Sequence, residues 1–259
     1  GLNSTENSSY AVTSKYTDYN AVNLFANYDM TFGKHDISVM GGYNQESSHT
    51  ESQYSYRTDV VVGSLPSLSL STGTPITNDA FEEFAIRGLF YRVNYSYAGK
   101  YLLEANGRYD GTSRFPKNSR FGFFPSFSAG WRISEENFMK TTNEWLSNLK
   151  LRASWGSIGN QVILKSDNTP DNYPYIPDMN VYLSNWLVDG QKVTTLGAPA
   201  MVSSSFGWEK VYTLDFGFDL DLFNNKLNTT FDWYRRDTKG MLAPGMELPG
   251  VVGASAAKQ

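Results

Sequence analysis

Apolar side chains recur at every second position along much of this chain. Between Ile86 and Tyr97, the residues Leu89, Tyr91, Val93, Tyr95 and Tyr97 share one face, and Arg92, Asn94 and Ser96 the other. Between Tyr101 and Asp110, Tyr101, Leu103, Ala105, Gly107 and Tyr109 oppose Glu104, Asn106, Arg108 and Asp110. A period of two is the signature of a strand with one dry side, and the sequence predicts about eight such strands. The wet side is charged rather than merely hydrophilic.

Turn lengths test whether the dry faces coincide, because a slip of one residue moves every side chain to the opposite face. A loop of Ala98, Gly99 and Lys100 pairs Tyr97 with Tyr101 and keeps the apolar faces together. In Val211–Leu222 the apolar set is even (Tyr212, Leu214, Phe216, Phe218, Leu220), whereas Leu227, Phe231 and Trp233 are odd. A two-residue loop of Asn224 and Asn225, residues that tolerate positive φ, is expected to pair Leu222 with Leu227 and Phe218 with Phe231. Near the start, Val22, Leu24, Tyr28, Met30 and Phe32 join Ile37, Val39 and Tyr43 if residues 33–36 form a four-residue turn.

The connections alternate between short (33–36, 98–100, 224–225) and long (47–85, 159–209), with 112–119 intermediate. In an up-and-down sheet this puts tight turns on one side and long loops on the other. Stretch 134–147 falls on the tight side and predicts a short helix after Ser134, with Glu135 and Glu136 at its positive end. Outer-membrane barrels have short periplasmic turns and long external loops. Hence 47–85 and 159–209 are expected to be extracellular loops and 134–147 a periplasmic connection.

Strand length bears on what dries the apolar face. The apolar runs extend over about 9–12 residues, longer than the usual 5–6 of soluble sheets and matched to a tilted membrane strand. Tyr95, Tyr97, Tyr101 and Trp131 fall at the tight-turn ends, where an interfacial aromatic girdle would sit. Arg92, Glu104, Arg108, Arg132 and Arg152 suit the polar interior of a wide barrel. The stretch RFGFFPSFSAGWR then reads with directions: Phe121, Phe123, Phe127 and Trp131 toward lipid, and Gly122, Ser126, Ser128, Gly130 and Arg132 toward the lumen. Phe124 breaks the alternation, which calls for contact with a plug or with a loop folded into the lumen. Pro125 cannot donate to the ladder, so a bulge or local loss of pairing is expected there.

Composition narrows the function classes. The chain is 40% hydrophobic and 15% aromatic, has no cysteine and carries a formal net charge of −4, with a mean hydropathy of −0.42. It has no basic field for nucleic acid, no disulfide framework or thiolate chemistry, and no apolar run long enough for a membrane helix.

Catalytic and metal signals are weak. His35 and His49 lack partners at ligand spacing. Glu82–Glu83 and Glu135–Glu136 are adjacent pairs, which diverge on a strand instead of converging on one bond. Asp167, Asn168, Asp171 and Asn172 offer oxygen ligands without the spacing of a calcium loop. Ser154–Trp155–Gly156–Ser157 is not a nucleophile elbow, and DGTSRF (Asp110–Phe115) is not a phosphate loop. No enzyme, metal or cofactor is expected. In the loop 159–209, Tyr173, Tyr175, Tyr182 and Trp186 alternate with Asn and Asp, a composition suited to sugars or peptides; the same rings would equally pack the loop onto itself or a partner.

Several long motifs in order carry a resemblance. YLLEANGRYDGTSRFPKNSRFGFFPSFSAGWRISEENFM (Tyr101–Met139), LSNLKLRASWGSIGNQ (Leu146–Gln161), VYTLDFGFDLDLFNNKLNTTFDWYRRDTKGML (Val211–Leu242) and LPGVVGASAAKQ (Leu248–Gln259) together resemble the SusC/RagA group of TonB-linked outer-membrane transporters of Bacteroidota. The resemblance implies a barrel of about 22 strands, of which residues 1–259 would be one part. It further implies a plug domain and a TonB-contacting segment, neither found in this sequence, and a SusD-like lipoprotein lid. By that resemblance the protein imports oligosaccharides or oligopeptides as a multi-pass protein of the bacterial outer membrane. DGTSRF would be a structured external turn. An internal barrel segment of about eight strands would leave two open edges. The rival readings are a passive porin or adhesin-like barrel and, further off, a soluble carbohydrate-binding β domain.

Overall fold

The computed structural model describes residues 8–142, 144–165, 167–177, 179, 181–199, 202 and 206–241. Eight antiparallel strands form one sheet in the order β1 (Ser9–Phe32), β2 (His35–Thr58), β3 (Ile76–Tyr97), β4 (Tyr101–Thr112), β5 (Phe121–Arg132), β6 (Leu146–Asn160), β9 (Glu209–Leu222), β10 (Leu227–Lys239). Each of these strands lies beside its predecessor in the sheet, and β7 (Val181–Val188) with β8 (Gln191–Leu196) forms a separate hairpin between β6 and β9. This is an up-and-down segment.

The turns show how register follows from sequence. Tyr97 pairs with Tyr101, and both Ala98 (φ 53°) and Gly99 (φ 65°) take the left-handed conformation. Leu222 pairs with Leu227 and Phe218 with Phe231, as the parity required. The connecting turn is longer than Asn224–Asn225, occupying 223–226, with positive φ at Phe223, Asn224 and Asn225. The first turn is shorter than expected: β1 ends at Phe32 and β2 begins at His35, so Gly33 (φ 62°) and Lys34 suffice. Parity survives because the two registers differ by an even number of residues.

The chain forms two compact units, one of Gly1–Ala21 with Glu46–Ala85 and one of Val22–Gln45 with Ile86–Gln259. In the first, the expected 47–85 loop proves to be mostly strand, because β2 continues to Thr58 and β3 begins at Ile76. The connection proper is 59–75, closed by the Val60–Ser71 bridge and by Arg57, which donates to the carbonyls of Gly73 (2.8 Å) and Leu68 (3.0 Å). His49 lies between Glu83 (Nδ1 2.6 Å) and Glu51 (Nε2 2.9 Å).

In the second unit the helix expected after Ser134 is two short 3-10 segments, Ile133–Glu135 and Asn137–Thr142. Ser134 does not cap them: its hydroxyl is buried without a hydrogen-bond partner. β6 ends at Asn160 and β9 begins at Glu209, so the connection between them is 161–208 and carries the β7–β8 hairpin.

Among the described residues nothing covers the apolar face. Leu89, Leu103, Phe127, Phe216 and Trp233 are exposed, Leu89 at 58%. Among the described residues the buried apolar side chains are few: Phe115, Phe124, Leu146, Phe206 and Pro174. A soluble sheet would hide such a face against a second layer.

Candidate functional site

The polar face carries its charges in cross-strand groups. One row reads Ser96, Leu102, Gly130, Arg152, Gly217, Asp232. The glycines on either side leave room for the Arg152 guanidinium, which reaches Asp219 through Nε (3.0 Å) and Nη2 (3.0 Å) and Asp232 through Nη2 (2.9 Å). A Cβ on Gly217 would meet both Asp232 and that guanidinium. Arg92 donates to Asn106 Oδ1 (2.8 Å), whose amide donates in turn to Glu104, so an amide separates this cation from its carboxylate. Arg108 grips both oxygens of Asp110 at 2.9 Å and lies 5.6 Å from the Phe90 ring centre. Arg132 is more loosely held, with Glu135 at 3.5 Å and the Gly99 carbonyl at 3.4 Å. A cavity of about 560 Å³ opens beside Glu104 and Arg152.

At the tight-turn end, rings from successive strands form a row. Phe32 stacks on His35 (4.8 Å), His35 meets Tyr97 (4.9 Å), Tyr97 meets Tyr101 (6.3 Å) and Tyr101 stacks on Trp131 (6.3 Å). Tyr95 joins through its hydroxyl, 2.8 Å from His35 Nδ1. A single carboxylate ties this row together: Glu136 accepts from Tyr101 Oη (2.6 Å), Trp131 Nε1 (3.2 Å) and Lys100 Nζ (3.1 Å). These three donors, with Tyr101 first, hold its pKa below the usual carboxylate range. Backbone bonds stitch neighbouring turns, Ala98 N–H to Lys34 O and Arg132 N–H to Lys100 O.

At the long-loop end the parity break at Phe124 has its explanation. The β5–β6 ladder stops at Ser126–Gly156, next to Pro125. Phe124 lies between the strands there, its ring against Gly122 of β5 and Gly159 of β6, and is 8% exposed. Trp208 meets it edge-on at 4.9 Å and Phe115 at 5.5 Å, and the indole N–H donates to Arg120 O (3.1 Å). Phe115 and Phe206 are each 1% exposed. Arg114 is buried, donates to Asn172 Oδ1 (2.9 Å), and its pKa is lowered by desolvation. DGTSRF therefore joins a small core uniting 112–120, Phe124, Asn172 and 206–208, of which sequence periodicity marked only Phe124. Asp167 and Asp171 accept from the backbone of Thr169 and Tyr173 (3.0 Å each), local turns instead of a converging oxygen cage.

The four loop aromatics separate. Tyr173 and Tyr175 lie in the irregular stretch near this core, whereas Tyr182 and Trp186 are exposed on β7. Ser184, fully buried, fixes the hairpin by donating to Trp186 O (2.6 Å) and accepting from Val193 N–H (3.3 Å). The motif at Leu248–Gln259 lies outside the described residues.

Comparison with known proteins agrees with this architecture. The family model described as "TonB dependent receptor-like, beta-barrel" matches residues 1–255. TonB-dependent receptor P3 of Formosa agariphila is 32% identical over 234 residues, covering 89% of this chain and 22% of that protein. TonB-dependent receptor SusC of Bacteroides thetaiotaomicron is 37% identical over 157 residues, 59% of this chain and 15% of its own length. The solved RagAB peptide transporter superposes with a TM-score of 0.79 at 23% identity, covering 97% of this chain and 27% of that one. The chain thus spans about a fifth of the length of TonB-dependent receptor P3 and less of SusC.

Proposed function

Because the chain belongs to the TonB dependent receptor-like β-barrel family, we propose that it forms part of the barrel wall of an outer-membrane nutrient importer of the SusC/RagA type. The family is one of receptors and transporters, not of enzymes. The observation that carries the reading is the division of one sheet into an uncovered apolar face and a face of paired charges. Soluble folding does not call for such a wall; lipid on one side and a hydrated lumen on the other do.

In this reading Phe121, Phe123, Phe127 and Trp131 meet lipid. From Phe121 to Trp131 the strand rises about 34 Å, which at a tilt of about 40° gives a height of about 26 Å, close to the apolar band of such barrels. Tyr95, Tyr97, Tyr101 and Trp131 mark the periplasmic interface. Arg92, Glu104, Arg108, Arg132 and Arg152 line the lumen, their charges balanced locally so that the wall presents polarity without a strong field. The loops 59–75 and 161–208 are extracellular, and Tyr173, Tyr175, Tyr182 and Trp186 contact oligosaccharide or oligopeptide, or a SusD-like lid. TonB acts through a plug elsewhere in the protein, and the barrel crosses the membrane many times.

The test uses the full-length protein in its own host, assayed for uptake of labelled oligosaccharides and oligopeptides. Import that stops on loss of TonB, with the barrel still present in the outer membrane, supports the reading. TonB-independent uptake assigns the wall to a passive porin, and recovery without detergent overturns membrane insertion.

A further inference from the structure

We propose that Lys210 and Lys239 form a phosphate-binding site at the long-loop end of the β9–β10 hairpin. The two lysines are direct cross-strand partners, the last pair of the ladder. Like charges in that position repel. Neither makes an ion pair among the described residues, and the carboxylate on the same face of β10, Asp237, is already held by Arg235 at 3.1 Å.

The two ammonium groups are instead seated on different rings. Lys210 Nζ lies 5.8 Å from the centre of Phe124, and Lys239 Nζ lies 5.4 Å from the centre of Tyr212. Ring faces attract cations without neutralising them. Tyr212 is itself the end of a stack running from Phe127 through Trp155 (6.2 Å at each step), and Phe124 is wedged between strands. Each cation therefore has an aromatic seat at the end of one cross-strand pair, and neither has a carboxylate partner among the described residues. A group with close to two negative charges on converging oxygens offsets both at once, which a phosphate monoester does and lysine serves as a point charge.

Two sources share this chemistry: the phosphate of an outer-leaflet glycolipid headgroup, and free phosphate or a phosphorylated solute. The first rests on the barrel-wall reading, since the hairpin end would then lie at the headgroup level; the second does not.

The full-length protein in detergent is examined by native mass spectrometry with diphosphorylated lipid A and with its dephosphorylated form, and by thermal melting with inorganic phosphate. The wild type is expected to retain the phosphorylated lipid, and the K210Q/K239Q double variant to bind it about thirtyfold more weakly. K226Q, in the turn at the opposite end of the same hairpin, retains wild-type binding. In phosphate-free detergent K239Q melts no lower than the wild type, because it relieves repulsion; a merely structural lysine would melt lower. Lipid retention that inorganic phosphate does not displace identifies the headgroup, and displacement together with a phosphate-dependent rise in melting temperature identifies the free anion. Equal retention by wild type and double variant, or retention of neither ligand by the wild type, overturns the site. Insertion of the variants into the outer membrane, scored separately, reports on the barrel-wall reading alone.

Discussion

Phe124 and Trp208 meet edge to face, ring centres 4.9 Å apart, although 84 positions of chain and a complete loop separate them. The contact joins the wall to the loop before β9. It gives the loop a fixed foot, because the Phe124 ring is itself clamped between Gly122 and Gly159.

Phe115→Ala empties the centre of this small core. Truncating so buried a ring costs about 3–5 kcal/mol, and the loss falls on the loop more than on the ladder. Limited proteolysis of the full-length protein should cut faster within 161–205, while heat-modifiable migration of the barrel persists. Unchanged cleavage would show that the loop is anchored elsewhere.

Gly159→Val places a branched side chain where the Phe124 ring sits. The expected result is destabilisation that largely disappears when Phe124 is also replaced by Ala. In a double-mutant cycle the two changes should couple by more than about 0.5 kcal/mol; additive effects would separate the residues.

Phe127→Lys and Ser126→Lys put the same charge on opposite faces. On the lipid side a lysine costs up to about 2–4 kcal/mol, so Phe127→Lys should depress the yield of assembled barrel. Ser126→Lys should leave assembly close to wild type. Equal yields would contradict the assignment of faces.

Arg152→Met leaves Asp219 and Asp232 facing one another without their shared cation. The site is about a third exposed, so solvent screening limits the loss to about 1 kcal/mol. Adding Asp232→Asn should recover part of it in thermal melts, an outcome that a packing role for Arg152 does not predict.

Glu136 sets a pH dependence. Its folded-state pKa is depressed by Tyr101, Trp131 and Lys100. The stability it contributes is therefore complete above the unfolded carboxylate value of about 4.3 and is lost as pH falls through the lower folded value. Melting curves of wild type and Glu136→Gln should differ at pH 7 and converge in acid. A gap that stays constant down to about pH 2 would deny the carboxylate this part.

Much of the wall was legible because strand periodicity and turn parity are local properties. Tyr97–Tyr101 and Leu222–Leu227 follow from counting residues across a turn, and Pro125 announces where a ladder must fail. Local pattern is weaker at the ends of elements. It placed the start of a long loop at residue 47, where β2 instead continues to Thr58, since polar sequences such as HTESQYSYRT pair through their backbones as well as apolar ones do. It also proposed a helix after Ser134, where two short 3-10 segments form and Glu136 bonds outward to Tyr101 and Trp131.

By itself the sequence determined which residues alternate, which faces coincide and that one face is dry, because these depend only on the two-residue period of an extended chain. The tertiary structure decided which distant residues meet. Phe115, Phe124 and Trp208 come together, and Arg152 finds Asp219 and Asp232, through strand neighbours far apart in the chain. Such contacts are fixed by packing and by pairing of charge, and no local pattern encodes them; the one trace left in the sequence was the misplaced ring at Phe124.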